Sequence, residues 1–341
     1  PIVLPLSGGY DSRYIACMLK ESGYENVICY TYGRCDSHEV VTSRQVAYAL
    51  GYDWHFVEYT APKIEAALNS PQWDAYCLYC HNCSSLPHIQ EFIALSELRS
   101  MGKLPANGVI VPGFCGDLLG GSYVPPQFQT GDLNALLSSG LVAHIADKHL
   151  YIKLFTDDLV TEEVRDHIRQ TLDEIGTVPN TPEAFVSYNE AFFTAHKVAK
   201  FVVNSLRVYE FFGLDWRMPL WDKELIDYWY RVPVAERIGN SLYEEFLFKH
   251  YFKPLNVAIK KPQKKRSVKL YKCLRRLRVA EALASAIVRV AHKWRSWLRR
   301  SKPHFNAFDE FECFYASQLY NIGMVRTHVH DANGIFSTTT N

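Results

Sequence analysis

The chain predicts an α/β fold: an open, twisted parallel sheet flanked by helices, with a largely helical C-terminal half. Three observations carry this. Short apolar runs alternate with helical periodicities from residue 1 to about residue 125. The first, second and fourth of those runs each lead into glycine. From 130 to 255 apolar residues recur at three- and four-residue steps, and no linker rich in Gly, Ser or Pro intervenes, so this half is expected to pack on the sheet.

In chain order, Ile2-Val3-Leu4 reads as a buried strand, and Tyr14, Ile15, Met18 and Leu19 recur at helical spacing after it. Val27 through Gly33 forms a second strand. A helix follows, with Val40, Val41, Val46, Ala47 and Leu50 apolar and Gly51 as its C-terminal cap. His55 through Tyr59 is a third strand. The spacing of Ile89, Phe92, Ile93, Leu95 and Leu98 predicts a helix over 85–101, and Val109-Ile110-Val111 a fourth strand running into a second glycine-rich turn at 113–121.

Between the first strand and its helix lies Ser7-Gly8-Gly9-Tyr10-Asp11-Ser12. Glycines let backbone amides approach an anion closely, the helix presents its positive end, and Ser7 and Ser12 add hydroxyl donors. Asp11 alone would repel phosphate, so a carboxylate here points to a bridging cation, most simply Mg²⁺. No Gly-Lys-Ser/Thr follows, so this is not the Walker loop. The competing reading is a plain glycine-rich strand-to-helix turn. In an open parallel sheet, ligands sit at the carboxyl ends of strands, where this loop, Gly33 and the 113–121 turn all fall.

At 341 residues, 48% hydrophobic and 21% charged, the composition is that of an ordinary globular chain, with no apolar run long enough to span a membrane. Nine cysteines, an odd number, argue against a disulfide framework and lead to the expectation of a reducing, cytoplasmic setting. Opening on Pro1 inside a strand leads to the expectation of further sequence upstream. The net charge of +1 conceals an asymmetry: residues 260–302 hold 16 Lys/Arg and one acid, Glu281.

The first loop resembles the pyrophosphate loop of the N-type ATP pyrophosphatases. Four segments in the same order resemble one branch of that group, the synthetase domain of asparagine synthetase and its relatives. They are the first loop, the helix over 36–51, the turn over 113–121, and Gly213-Leu214-Asp215-Trp216-Arg217-Met218-Pro219-Leu220-Trp221-Asp222. Tyr243 through Lys249 is similar to the stretch that bears the family's essential lysine, and Lys261-Pro262-Gln263-Lys264-Lys265 to the basic turn after it.

This resemblance implies an adenine nucleotide alpha-hydrolase-like fold and an ATP- and Mg²⁺-dependent, AMP- and pyrophosphate-forming amide ligase. Leu6, Ser7, Gly8, Gly9, Asp11, Ser12, Tyr32 and Gly113 are the implied nucleotide contacts, with the Tyr32 backbone at the adenine edge. Asp11 and Asp117 are the implied metal ligands, and Asp117 and Lys249 the implied catalytic residues. The implied partners are a carboxylate substrate, small or glycan-linked, and ammonia or an amine. The family pattern places a glutaminase domain upstream as a source of ammonia, and this sequence does not contain one. The expected domains are 1–265, the synthetase-like unit, and 266–341, a basic helical extension packed on it.

The sequence departs from the pattern at the second motif. Phe114 stands where the family has a functional glutamate, and Leu118 replaces another acid. Either the acceptor chemistry differs, or an acid such as Asp222 or Glu210 substitutes, or the chain is a catalytically degenerate ATP-binding module. Cys77, Cys80, His81 and Cys83 have metal-ligand spacing, which brings in a tRNA-modifying relative as a further alternative; buried thiols are the plainer reading. The spacing of Val279, Leu283, Ile287, Val290, Trp294 and Leu298 in the basic segment predicts an amphipathic helix. Its readings are packing on its own domain, peripheral contact with an anionic membrane, and, least favoured, nucleic acid.

Overall fold

The computed structural model describes residues 1–35, 37–80, 88, 90–125, 140–149, 158–176 and 181–260. The basic segment after residue 260, and His81 and Cys83 of the cysteine cluster, lie outside the described residues.

Among the described residues, β1 (Ile2–Pro5), β2 (Val27–Gly33), β3 (Asp53–Glu58), β4 (Val109–Ile110) and β5 (Asp215–Trp216) form one parallel sheet in the order β3-β2-β1-β4-β5. β1 is central: Val3 pairs with Ile28 on one side and Ile110 on the other. The connection from β1 goes one way to β2 and β3, and β4 returns on the other side. The carboxyl ends of β1 and β4 therefore flank a topological switch point.

Alternation of side chains across the pleat divides the core. Leu4, Leu6 and Cys29 join one cluster, with Ile15, Val46 and Leu50 of α1 (Tyr10–Glu21) and α2 (His38–Leu50). Val3, Tyr30 and Tyr32 join the other, with residues of α3 (Ala61–Leu68), α4 (Pro71–Cys80) and α5 (Phe92–Ser100). α2 begins where the Ser37 hydroxyl accepts from the Val40 amide and ends at Gly51, whose φ of 73° is the left-handed cap expected from the sequence.

Two boundaries differ from expectation. β3 starts at Asp53, not His55, because its ladder with β2 begins at the Ile28–Asp53 pair. The helix expected from residue 85 starts at Phe92. There the Tyr59 hydroxyl donates to the Gln90 carbonyl (2.6 Å) and accepts from the Ala94 amide (2.9 Å), fixing a turn at 90–91.

After α6 (Gly116–Leu119), the described part of the second half is mainly helical, as expected: α7 (Leu141–His149), α8 (Asp158–Ile175), α9 (Pro182–Phe193), α10 (Arg207–Phe211), α11 (Lys223–Arg231) and α12 (Ser241–Leu247). Leu141, Ile145, Ile168, Leu172, Phe185 and Phe192 give α7, α8 and α9 a small core of their own. Between α9 and α10 the helix widens to π geometry over Thr194–Val202.

Candidate functional site

The loop after β1 is pinned from several directions. The Ser12 hydroxyl accepts from the Ser7 amide at 3.1 Å, and the Ser7 hydroxyl accepts from the Gly9 amide at 3.0 Å. The Gly8 amide donates to the Glu39 carboxylate from α2. A Cβ on Gly8 would sit 2.8 Å from that carboxylate and 3.2 Å from the Glu39 Cα, so glycine lets the loop lie close against α2.

Arg13, fully buried on α1, holds the loop from beneath. Its guanidinium donates to the carbonyls of Gly8 (2.9 Å) and Val257 (3.1 Å) and also to that of Ile259, and lies over the rings of Tyr10 and Phe252. Nothing in the spacing of the loop motif marks this arginine, because its partners are backbone carbonyls, two of them about 250 positions downstream.

The second glycine turn folds directly onto the first loop. A Cβ on Gly113 would stand 2.7 Å from the Ser12 amide nitrogen, and one on Gly116 would land on the Asp11 carboxylate. Cys115, between them, takes the left-handed backbone (φ 70°) that non-glycine residues seldom adopt. It starts α6 so that Leu118, only 2% exposed, enters the core, while the Asp117 side chain stays 63% exposed. The helical half steadies this turn: Asn189 donates to the Tyr123 carbonyl at 2.8 Å, and the Tyr123 ring packs at a tilt against Phe193. Gly121 lies against the backbone of Arg237, which forms a buried ion pair with Glu190 (2.7 Å).

The strand ends open onto a cleft of about 170 Å³, lined by Leu6, Ser7, Gly9, Asp11, Ser12, Gly113 and Phe114, with Glu39, His88 and Glu91. Tyr32 also lines it; its ring stacks on Tyr59 in the core, so the side chain serves packing. Burial lowers the His88 pKa to about 4 and raises that of Glu91 to about 7, with Tyr30 donating to Glu91 at 3.1 Å.

Of the residues expected from sequence, Leu6, Ser7, Gly8, Gly9, Asp11, Ser12 and Gly113 meet at this edge, with Asp117 beside them. Tyr243 of α12, not singled out by sequence, donates to Asp11 Oδ1 at 3.0 Å; burial, then the negative charge of Asp11, pushes its pKa well up. Lys197 is a second unexpected participant, 3.8 Å from Asp117. Lys249, two residues past α12 in the π-helical stretch Phe248–Phe252, is exposed and makes no hydrogen bond or ion pair with either loop among the described residues.

Phe114 packs on the core edge with its ring 6.0 Å from His88. The two acids considered as substitutes are otherwise employed. Asp222 caps α11, accepting from the amides of Glu224 and Leu225, and Glu210 accepts from Trp216 and Tyr79. Cys80 is in the core, and burial pushes the thiols of Cys77 and Cys80 up to about 12 and about 11. No group of three metal-ligating side chains occurs among the described residues. No described helix is long and apolar enough to cross a membrane.

A parallel sheet with two interlocked glycine loops at its switch point is the design of a nucleotide-binding domain of the pyrophosphate-loop class. Residues 1–256 match the family model described as asparagine synthase, and the chain belongs to that family, the synthetase domain of an ATP-dependent ligase. No curated protein matches the chain.

Proposed function

We propose that this chain is an AMP-forming amide ligase: it adenylates a carboxylate with ATP and passes the acyl group to ammonia or an amine. The observation that carries this reading is the close seat of Gly116 on Asp11, which sets the two loops edge to edge. That fit needs glycine at 116 and leaves Asp11 and Asp117 as hard oxygen donors from adjoining loops, suited to a Mg²⁺ ion that keeps most of its waters. Mg²⁺ supplies charge neutralisation at the polyphosphate when bound.

The chain's own groups do the rest. The Ser7 and Ser12 hydroxyls, and the loop amides as they exchange Ser12, Glu39 and Ser7 for the ligand, receive the β- and γ-phosphates, and the cleft between Leu6, Tyr32 and Gly113 takes the nucleoside. A substrate carboxylate oxygen attacks the α-phosphorus and the bond to pyrophosphate breaks. The amine then attacks the acyl carbon, the bond to AMP breaks, and a proton leaves the nitrogen. Phe114 cannot accept that proton, so it passes to solvent or to a group carried by the substrate. Lys249, exposed in the π-helical stretch after α12, is the residue the family resemblance assigns to charge stabilisation.

ATP–pyrophosphate exchange, measured across a panel of carboxylic acids, tests the reading. Acid-dependent exchange that disappears in Asp11→Asn supports it; ATP binding without AMP under every condition points instead to a degenerate nucleotide-binding module, the reading that Phe114 and the engaged Asp222 and Glu210 favour.

A further inference from the structure

We infer that Lys197 is a pyrophosphate-binding residue, the cation that meets the leaving group on the side of the second glycine turn. The inference rests on the proposed adenylation and names a residue for it outside the loop motifs.

Lys197 lies in the π-helical stretch Thr194–Val202. Its ammonium lies over the rings of Tyr123 and Phe193, 5.4 Å and 5.7 Å from their centroids. The same ammonium is 3.3 Å from the Tyr123 hydroxyl and 3.8 Å from Asp117 Oδ2. A lysine serving only solubility extends its head into water; this one is turned along two aromatic faces toward a carboxylate and remains 37% exposed there. Its charge also reaches the Cys115 thiol, where it opposes the effects of burial and of Asp117 and Asp11, so it lies within electrostatic range of the junction between the two loops.

Charge counting explains the need. Asp11 and Asp117 together cancel the charge of one divalent cation, so a metal held by both leaves pyrophosphate largely unneutralised. Loop amides offer partial charges, and three of them are already engaged: Ser7 N–H by the Ser12 hydroxyl, Gly8 N–H by Glu39 and Gly9 N–H by the Ser7 hydroxyl. A full positive charge beside Asp117 completes the balance. Lys197 and the π-helical segment come from the helical half, while the loops come from the sheet, so pyrophosphate is held from both sides at once.

Calorimetric titration with inorganic pyrophosphate in Mg²⁺ buffer, and separately with AMP, tests this without requiring turnover. Lys197→Met keeps an unbranched side chain beside Tyr123 and Phe193 and removes the charge. It is expected to weaken pyrophosphate binding about tenfold or more and leave AMP within about twofold, with Lys197→Arg restoring most of the loss. Unchanged pyrophosphate affinity in Lys197→Met, or an equal loss for AMP, overturns the assignment. A purely structural lysine would lower the melting temperature without changing the ratio of the two affinities. The adenylation reading is judged separately, by acid-dependent exchange in the unaltered protein. Exchange can fail while wild type and Lys197→Met still differ in pyrophosphate binding.

Discussion

The phenol of Tyr243 donates to Oδ1 of Asp11 across a 3.0 Å hydrogen bond, joining α12 to the first glycine loop. A carboxylate that faces phosphate must be held in one orientation, and this hydroxyl holds it. Tyr243→Phe is expected to lower stability by about 1 kcal/mol and to raise the ATP concentration needed for half-maximal exchange several-fold. Chemical denaturation and exchange kinetics read the two effects separately.

Gly116 and Gly121 are required for different reasons, and alanine at each separates them. A Cβ at 116 displaces Asp11, so Gly116→Ala is expected to lose ATP-dependent exchange by more than about 100-fold with little change in melting. At 121 the backbone is left-handed (φ 66°) and a Cβ meets the Arg237 carbonyl. Gly121→Ala is expected to destabilise the fold by about 2 kcal/mol or more, visible as a lower melting temperature.

Restoring family acids at the second motif should give opposite results at two positions. Leu118 is in the core, and Leu118→Glu buries a charge there; a loss of about 3 kcal/mol or more is expected. Phe114 borders the cleft and is only partly buried, so Phe114→Glu should fold. If the acceptor amine needs a protein-held proton acceptor, that variant gains amide formation over free adenylate release, measured as the ratio of amide to AMP.

Glu91 and His88 give the cleft wall an unusual pH response. Burial raises the Glu91 pKa to about 7 from an ordinary 4.5, so its contribution to stability is complete below about pH 4.5 and is lost as pH rises to 7. Burial lowers the His88 pKa to about 4 from 6.5, so its contribution is absent below about pH 4 and is gained as pH rises to 6.5. The two slopes oppose each other between pH 4.5 and 6.5. Glu91→Gln should therefore leave stability rising over pH 4–6.5, and His88→Gln should leave it falling over pH 4.5–7, as read by denaturation at each pH.

The sheet was legible because its apolar runs are short and each faces both cores, as Val3 and Leu4 do on opposite sides of β1. β5 was not: two residues carry no periodicity, and only pairing with β4 makes Asp215 and Trp216 a strand. The helices over 61–68 and 71–80 were also unread, since one has little buried surface and the other, burying Trp73, Tyr76 and Cys80 on one face, leaves Leu78 and Tyr79 exposed elsewhere, which blurs its periodicity. In the site, Asp11 and Gly113 could be read because local chemistry demands them. Tyr243, Arg13 and Lys197 could not, because each acts on a partner far away in sequence: Asp11, the carbonyls of Val257 and Ile259, and Asp117.

The grip of Arg13 on residues 257 and 259 has a consequence for synthesis. The glycine loop and the carbonyls that accept from its buried arginine lie some 245 residues apart, so the loop is translated well before those acceptors are. During elongation that guanidinium has no buried home, and the strand behind it cannot be sealed. The loop therefore takes its final form only after residue 259 has left the ribosome, which makes ATP binding a reporter that synthesis has passed that point.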